Sequence, residues 1–242
     1  MSRFWERVRK IPWWGWAFGL LFLALEYGVY RLGALLSVLL GTASRAFSCS
    51  IPGIDDLIPL LPAFIVVYLF SYVFWVCGTA AVSLTGRRNF INYLVGLSLA
   101  YAVGFLFFVF LPTYMDRTAE GLMEQGSRPG PFNWALGIVY AADGGEKGFN
   151  LFPSYHCLTS VCCYLGVRKR PEISRGFRRY SLIMAVLICL STLLTKQHYF
   201  LDAAGGAGIA VLCHALICRL DPGKRAAGEQ PDPTVGTNHM PF

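Results

Sequence analysis

Long hydrophobic stretches recur along the whole 242-residue chain, and this pattern constrains the fold more than any other feature. Hydrophobic residues make up 55% of the sequence and charged residues 14%, about half the charged share of a typical soluble domain. A helix needs about 20 apolar residues to cross the roughly 30 Å hydrocarbon core of a bilayer. The stretches are too continuous for the short alternating strands of a membrane barrel. The sequence therefore predicts an all-α, polytopic membrane protein.

Six stretches reach or approach the spanning length, which predicts a bundle of six transmembrane helices. The predicted spans are residues 13–30, 57–84, 90–111, 152–167, 180–195 and 199–220. We assign residues 1–12 to a cytoplasmic amino terminus and residues 13–220 to one membrane domain. Residues 221–242 are rich in Pro, Gly and charge, which predicts a disordered cytoplasmic tail. The first span lacks a small-residue cleavage site, so we expect it to remain as an anchor.

Basic residues are distributed unevenly between the two sides of this predicted bundle. Most of the 21 Lys and Arg residues lie before residue 11, at 87–88, in the 168–179 loop and after residue 218. Because short cytoplasmic loops collect Lys and Arg, we expect both termini in the cytoplasm of a cell-membrane protein. The net charge of +7 is then explained by topology and by anionic lipid headgroups. The basic residues form no stripe on a soluble fold, so we expect no nucleic-acid partner.

The eight cysteines do not indicate a metal site. All but Cys49 lie within or beside predicted spans, and no repeated CxxC pair has zinc spacing, so we interpret them as small packing residues. The chain also lacks an acidic cluster for magnesium and a Gly-rich nucleotide loop. We therefore expect no metal and no cofactor.

Polar residues interrupt the hydrophobic pattern in two stretches, 150–156 and 196–202. Ionisable groups at membrane depth are functional candidates by default. The helices that carry the two histidines are joined by the predicted cytoplasmic loop 168–179. At a rise of 1.5 Å per residue, His156 lies about 18 Å and His198 about 27 Å from this loop along its helix. Both histidines are therefore expected in the non-cytoplasmic half of the bilayer, on neighbouring helices.

His198 and Asp202 are four residues apart, which places them on one face of a helix. A carboxylate in that position can hold one imidazole nitrogen and leave the other free as a nucleophile. The pattern favours phosphoryl transfer, with His198 as the nucleophile and His156 as the general acid. His156 would later act as the base that activates water.

An anion site is expected around the two histidines. Pro153 and Ser154 suit a helix start, and the helices that carry His156 and His198 would both begin at the outer face, where unpaired N–H groups attract phosphate. Lys196 and Arg117 can add full positive charge. The segment 112–150 is the longest outer connection, and its apolar middle, residues 132–142, predicts a surface helix that covers the opening beneath it.

These residues resemble motifs of the type 2 phosphatidic acid phosphatase (PAP2) superfamily, and specifically of its branch that includes the fungal inositol phosphorylceramide synthases. The motifs Pro-Ser-x-His and Ser-Arg-x5-His-x3-Asp are matched by Pro153, Ser154, His156, Ser191, His198 and Asp202. The sequence departs from the family at Thr192, where many members have a phosphate-binding Arg, and we expect Lys196 to compensate. The stretch 112–117 resembles a degenerate first motif in which Arg117 survives. The resemblance covers the third to the sixth span.

The resemblance implies a six-helix, metal-independent enzyme that acts on lipid phosphates, diphosphates or phosphodiester headgroups. It assigns catalysis to His198, His156 and Asp202. It assigns substrate binding to Arg117, Lys196, Ser154 and Ser191. Non-catalytic interpretations stay open for some of them: Ser154 can be only a helix cap, and Arg117 can snorkel to headgroups. His214 has no motif and is expected to be a packing residue. Glu26 lies about 22 Å above Ile11 by helix rise, near the outer boundary.

Three functions remain open. In a lipid phosphatase, the preferred interpretation, water attacks the phosphohistidine; in a phosphotransferase, a lipid or inositol hydroxyl replaces water. The synthase-like third motif favours transfer, whereas the compact chain without a large acceptor-binding extension favours hydrolysis. The intact pair of His198 and Asp202 argues against the third function, a non-catalytic membrane scaffold. The expected partners are a lipid phosphate and the bilayer, and the sequence leaves a homo-oligomer open.

Overall fold

The protein is built almost entirely from helices. The computed structural model describes residue 6 and residues 8–226. Its helices are α1 (Trp13–Leu39), α2 (Ile65–Val82), α3 (Arg87–Phe110), α4 (Leu122–Ser127), α5 (Pro131–Ala142), α6 (Tyr155–Val167), α7 (Arg175–Leu194), α8 (Phe200–Leu220) and α9 (Pro222–Ala226). Short 3-10 turns lie at Thr42–Arg45, Asp55–Leu57, Pro62–Phe64 and Ser83–Thr85. The predicted all-α class is confirmed.

Five helices in the described part of the chain are long and apolar enough to cross a membrane: α1, α2 with its flanking turns, α3, α7 and α8. The expected sixth span, α6, has 13 residues. At 1.5 Å per residue it is only about 20 Å long, so the predicted count of six full spans is not confirmed. The sequence pattern also ended the first span too early, because α1 continues to Leu39.

The short helix α6 lies at the centre of the bundle, where it packs against α2, α3, α7 and α8. Its polar side chains have partners there: the Trp75 indole N–H donates to the Ser160 hydroxyl at 2.8 Å, and the Tyr101 and Thr159 hydroxyls are 3.0 Å apart. Such pairs are needed because a buried polar group without a partner is costly. Large hydrophobic side chains of α1, α2, α7 and α8 are exposed, as expected of a lipid-facing surface.

Glycines allow the start of α8 to approach the start of α6 closely. A Cβ added at Gly206 would lie 2.2 Å from the Ser154 carbonyl oxygen, and one at Gly205 would lie 2.3 Å from the Phe152 ring. The Ser154 backbone N–H also donates to the Asp202 carbonyl oxygen at 3.0 Å. This contact fixes the positions of the two helix starts that carry His156 and His198.

The long outer segment folds over this end of the bundle. Two three-residue strands that the sequence did not predict, β1 (Tyr114–Asp116) and β2 (Lys147–Phe149), pair antiparallel and close the segment at its base. The helix predicted for residues 132–142 is confirmed as α5, and its Tyr140 hydroxyl donates to the Thr195 carbonyl oxygen at 2.8 Å. The segment is therefore tied to the loop that precedes His198.

The predicted disordered tail begins with ordered residues. Asp221 lies at the end of α8 and pairs with Arg88. The hydrogen bonds from Arg88 lower the pKa of the Asp221 carboxyl to about 2. Helix α9 then packs on α3, where the Gly223 N–H donates to the Asn92 side-chain oxygen at 2.7 Å. The rest of the predicted tail, residues 227–242, and residues 1–5 and 7 of the predicted amino-terminal segment lie outside the described residues.

Replacing Gly206 with Ala should lower the free energy of unfolding by about 1–3 kcal/mol, because the new methyl group collides with backbone. Gly208→Ala is the matched control on the same helix, since a Cβ there meets nothing within 4 Å. It should be neutral or stabilising by up to about 1 kcal/mol, as for other helical glycines. Unfolding in detergent compares the two variants. Equal effects would contradict the proposed contact.

Candidate active site

A cavity of about 380 Å³ lies between α1, α2, α5 and the start of α6, and both His156 and His198 line it. Residues Ile138, Val139 and Ala142 of α5 contribute to its wall, so the surface helix covers this opening as predicted. Five tyrosines make much of the remaining wall: Tyr27, Tyr30, Tyr68, Tyr72 and Tyr155. The two predicted catalytic histidines therefore share one compartment.

Aromatic side chains fix the ring of His156. Its imidazole stacks on the Tyr68 ring, with centroids 4.2 Å apart and planes 18° from parallel. The rings of Trp75 and Tyr72 approach edge-on, at centroid distances of 5.0 and 5.6 Å. The Nε2 atom is buried and has no hydrogen-bond partner among the described residues. Packing thus holds the ring while this nitrogen stays available for a ligand.

His198 lies beside both its predicted partners. Its Nδ1 atom is 3.8 Å from the Asp202 carboxylate, which is longer than a hydrogen bond. Its ring centroid is 6.3 Å from that of His156, so a phosphoryl group could lie between the two rings. Because Nδ1 faces the carboxylate, Nε2 is the nitrogen left free to react.

The two helix starts differ from the expected anion site. Ser154 is fully buried, and its hydroxyl accepts the Cys157 N–H at 3.4 Å, so its role as a helix cap is shown. At the start of α8, the Phe200 N–H donates to the Asp55 carboxylate at 2.8 Å. The Tyr199 N–H donates to the Asp202 carboxylate at 2.9 Å. At least these two N–H groups are therefore not free for phosphate, because the protein's own carboxylates bind them.

Arg117 is completely buried and lies outside the cavity wall. Its guanidinium donates to the Asp143 carboxylate at 2.5 Å, to the Gln197 side-chain oxygen at 3.2 Å and to the carbonyls of Asp143 and Gly145 at 2.9 and 3.0 Å. These bonds tie the outer segment to the residue that precedes His198. The geometry gives Arg117 a positioning role, whereas the direct phosphate contact expected from the sequence stays a prediction.

The other predicted substrate-binding residues also bond to their own chain. The Lys196 ammonium donates to the Asp55 carbonyl oxygen at 2.8 Å, and the Ser191 hydroxyl donates to a carbonyl one turn earlier in α7 at 2.7 Å. The Thr192 carbonyl accepts the N–H groups of both Gln197 and His198. These contacts shape the loop that presents His198, and none of the predicted binding residues lines the cavity in the described structure.

Sequence reasoning missed several residues at the site. Tyr68 supports His156 from a helix that carries none of the motifs, and Asn150 lines the cavity in a left-handed conformation with φ of 57°. Gln197 is buried, and its side-chain nitrogen has no partner among the described residues. Cys49 lies beside Asp202, and burial together with that carboxylate raises the pKa of its thiol to about 12. Cys49 is therefore a neutral packing thiol at physiological pH.

Arg117→Ala should lower the free energy of unfolding by about 2–4 kcal/mol, because it removes a fully buried guanidinium and leaves its partly buried partner Asp143 unpaired. The control is Arg128→Ala in the same outer segment, whose side chain is 58% exposed and 3.7 Å from Glu124. That substitution should change stability by less than about 1 kcal/mol. Thermal unfolding in detergent measures both. If the two variants unfold alike, Arg117 does not hold the outer segment in place.

A family model described as PAP2 superfamily matches residues 59–216, which is more than half of the chain. The matched residues include both histidines and Asp202. The narrower synthase branch suggested by the sequence is not confirmed by this match. No curated protein and no solved structure matches the chain. The chain therefore belongs to the PAP2 superfamily.

Proposed function

We propose that the protein is an integral membrane lipid phosphatase that works through a phosphohistidine intermediate. The observation that carries the proposal is the placement of His156 and His198 in one cavity, with ring centroids 6.3 Å apart and Asp202 behind His198. The substrate is a lipid phosphomonoester or diphosphate. Its apolar portion suits a compartment walled by aromatic and aliphatic side chains.

In the first step, Nε2 of His198 attacks phosphorus and forms a P–N bond. The bond from phosphorus to the leaving oxygen breaks, and protonated His156 gives its proton to that oxygen. Asp202 stabilises the positive charge that develops on the His198 ring. In the second step, neutral His156 takes a proton from water, whose oxygen displaces His198 from phosphorus. Phosphate leaves, and both rings return to their starting states.

The phosphoryl oxygens also need hydrogen-bond donors. We propose that Gln197, which stands between Arg117 and His198, donates through its unpartnered side-chain nitrogen. Arg117 then acts through Gln197, and Lys196 contributes its charge from the same loop. Ser154 and Ser191 support the two helix ends at the site. This arrangement compensates for the arginine that Thr192 replaces.

His198→Ala should abolish phosphate release from phosphatidic acid, and His156→Ala should slow it by a factor of about 10²–10⁴, as for the loss of a general acid. Asp202→Asn keeps the helix cap but removes the charge, so it should retain partial activity. His214→Ala is the control, since His214 contacts Cys218 away from the cavity. Purified protein in detergent gives the rates. Equal activity of the His198 and His214 variants would exclude this mechanism.

A phosphotransferase is the second candidate, and two polar side chains in the otherwise largely apolar cavity wall favour it. Glu26 and Asn150 place oxygen acceptors in the same compartment as the histidines, where an acceptor alcohol could bind. Phosphate release from phosphatidic acid in water supports the phosphatase. A substrate that stays intact until a lipid alcohol or inositol is added supports transfer. If His198→Ala preserved the biological activity, the scaffold would be favoured over both enzymes.

We further propose that the protein resides in the cell membrane with both termini in the cytoplasm and the active site on the other side. An epitope inserted after Gly53, an exposed outer-loop residue, should then be detected in intact cells. An epitope at the carboxyl terminus should be detected only after permeabilisation. The basic-residue distribution is the physical reason. The reverse pattern of labelling would overturn this orientation.

A further inference from the structure

Two acceptor atoms in the cavity lack partners. The Glu26 side-chain oxygen Oε2 and the Asn150 side-chain oxygen Oδ1 are buried and have no hydrogen-bond partner among the described residues. Glu26 is 7% exposed and Asn150 is 3% exposed, and both line the compartment that contains His156 and His198. Unpartnered buried oxygens are unfavourable, and each such group in a folded protein calls for an explanation.

Two neighbouring hydroxyl groups donate to other acceptors. The Tyr30 hydroxyl donates to the Asp143 carboxylate at 2.5 Å, and the Tyr155 hydroxyl donates to the Tyr101 carbonyl oxygen at 2.7 Å. Their hydrogens are therefore used, and towards the cavity they offer only lone pairs. Within the described residues, no Lys or Arg lines the cavity. These two hydroxyls therefore do not satisfy Glu26 or Asn150, and the Tyr101 hydroxyl that bonds the Glu26 carboxyl leaves its Oε2 without a partner among the described residues.

We propose that Glu26 and Asn150 form a subsite for a hydrogen-bond donor of the substrate, a hydroxyl or ammonium group carried next to the phosphoryl group. The proposal rests on the proposed function, because the two histidines place the phosphoryl group in the same cavity. A hydroxyl would donate to either oxygen, and an ammonium group would also pair with the carboxylate. Glu26 lies outside residues 59–216, so the family motifs do not assign it a role.

Three matched lipids test this subsite. They are one-chain glycerol phosphates that differ at a single carbon next to the phosphate ester, which carries a hydroxyl, an amino or a methoxy group. The methoxy lipid is one methyl group larger than the hydroxyl lipid and has no donor at that carbon. Binding is measured as the thermal shift of the His198→Ala protein in detergent, so that turnover is not needed. Hydrolysis by the otherwise unchanged protein is measured in parallel.

The hydroxyl and amino lipids should bind about tenfold more tightly than the methoxy lipid, which corresponds to one hydrogen bond. Glu26→Leu should remove this preference and leave methoxy binding within about twofold. Glu26→Gln keeps an acceptor oxygen, so the hydroxyl preference should persist while a preference for the amino lipid falls. Glu124→Leu is the control, since the Glu124 side chain is 80% exposed on the outer segment.

Each outcome distinguishes the subsite from the reaction. Equal binding of the three lipids, or an equal loss for all three in Glu26→Leu, would overturn the subsite. The protein could prefer the hydroxyl and amino lipids in a way that depends on Glu26 and yet hydrolyse none of the three lipids. That result would support the subsite and count against the phosphatase. Glu26→Leu should fold, because it replaces a buried carboxyl, whose Oε2 has no partner among the described residues, with an apolar side chain of similar size. The Glu26→Gln variant provides the same comparison with a smaller change.

Discussion

The close contact between the starts of α6 and α8 is the constraint on which the site depends. The Ser154 N–H reaches the Asp202 carbonyl at 3.0 Å, and Gly206 leaves no room for even a methyl group beside the Ser154 carbonyl. His156 begins one of these helices, and His198 precedes the other. The separation of the two rings is therefore set by backbone packing and not by flexible side chains. Preorganisation of this kind is what phosphoryl transfer requires of a protein.

The surroundings then give the two imidazoles different environments. His156 is held between aromatic rings, whereas His198 faces the Asp202 carboxylate. That carboxylate suits a nucleophilic role for His198, because it can stabilise the positive charge that forms on the ring with the P–N bond. The outer segment completes the compartment, and buried Arg117 links that segment to the loop carrying His198 through Gln197. The outer segment and the loop that carries His198 are thus parts of one hydrogen-bonded unit.

Local patterns in the sequence predicted those features that depend on local spacing. The four-residue interval placed Asp202 beside His198, and Ser154 was recognised as a helix start because capping is a local interaction. The sequestration of Arg117 was not predictable, since its partners are Asp143 and Gln197, distant in the chain. The shortness of α6 was missed for a related reason: its apolar composition resembles that of a span, and its packing among four other helices depends on contacts distant in the chain. The role of Tyr68 has no sequence signal, because a stacking ring looks like any other aromatic residue of a membrane helix.

The central claim is that one phosphorus atom is bound between the two histidines and is transferred first to His198. The most direct measurement is to mix the purified protein with phosphatidic acid labelled in its phosphate, quench in alkali during turnover and locate the label by mass spectrometry. We predict phosphate on the His198 ring nitrogen, and its loss in His198→Ala. Turnover with no labelled histidine, or with the label on a residue other than His198, would contradict the account.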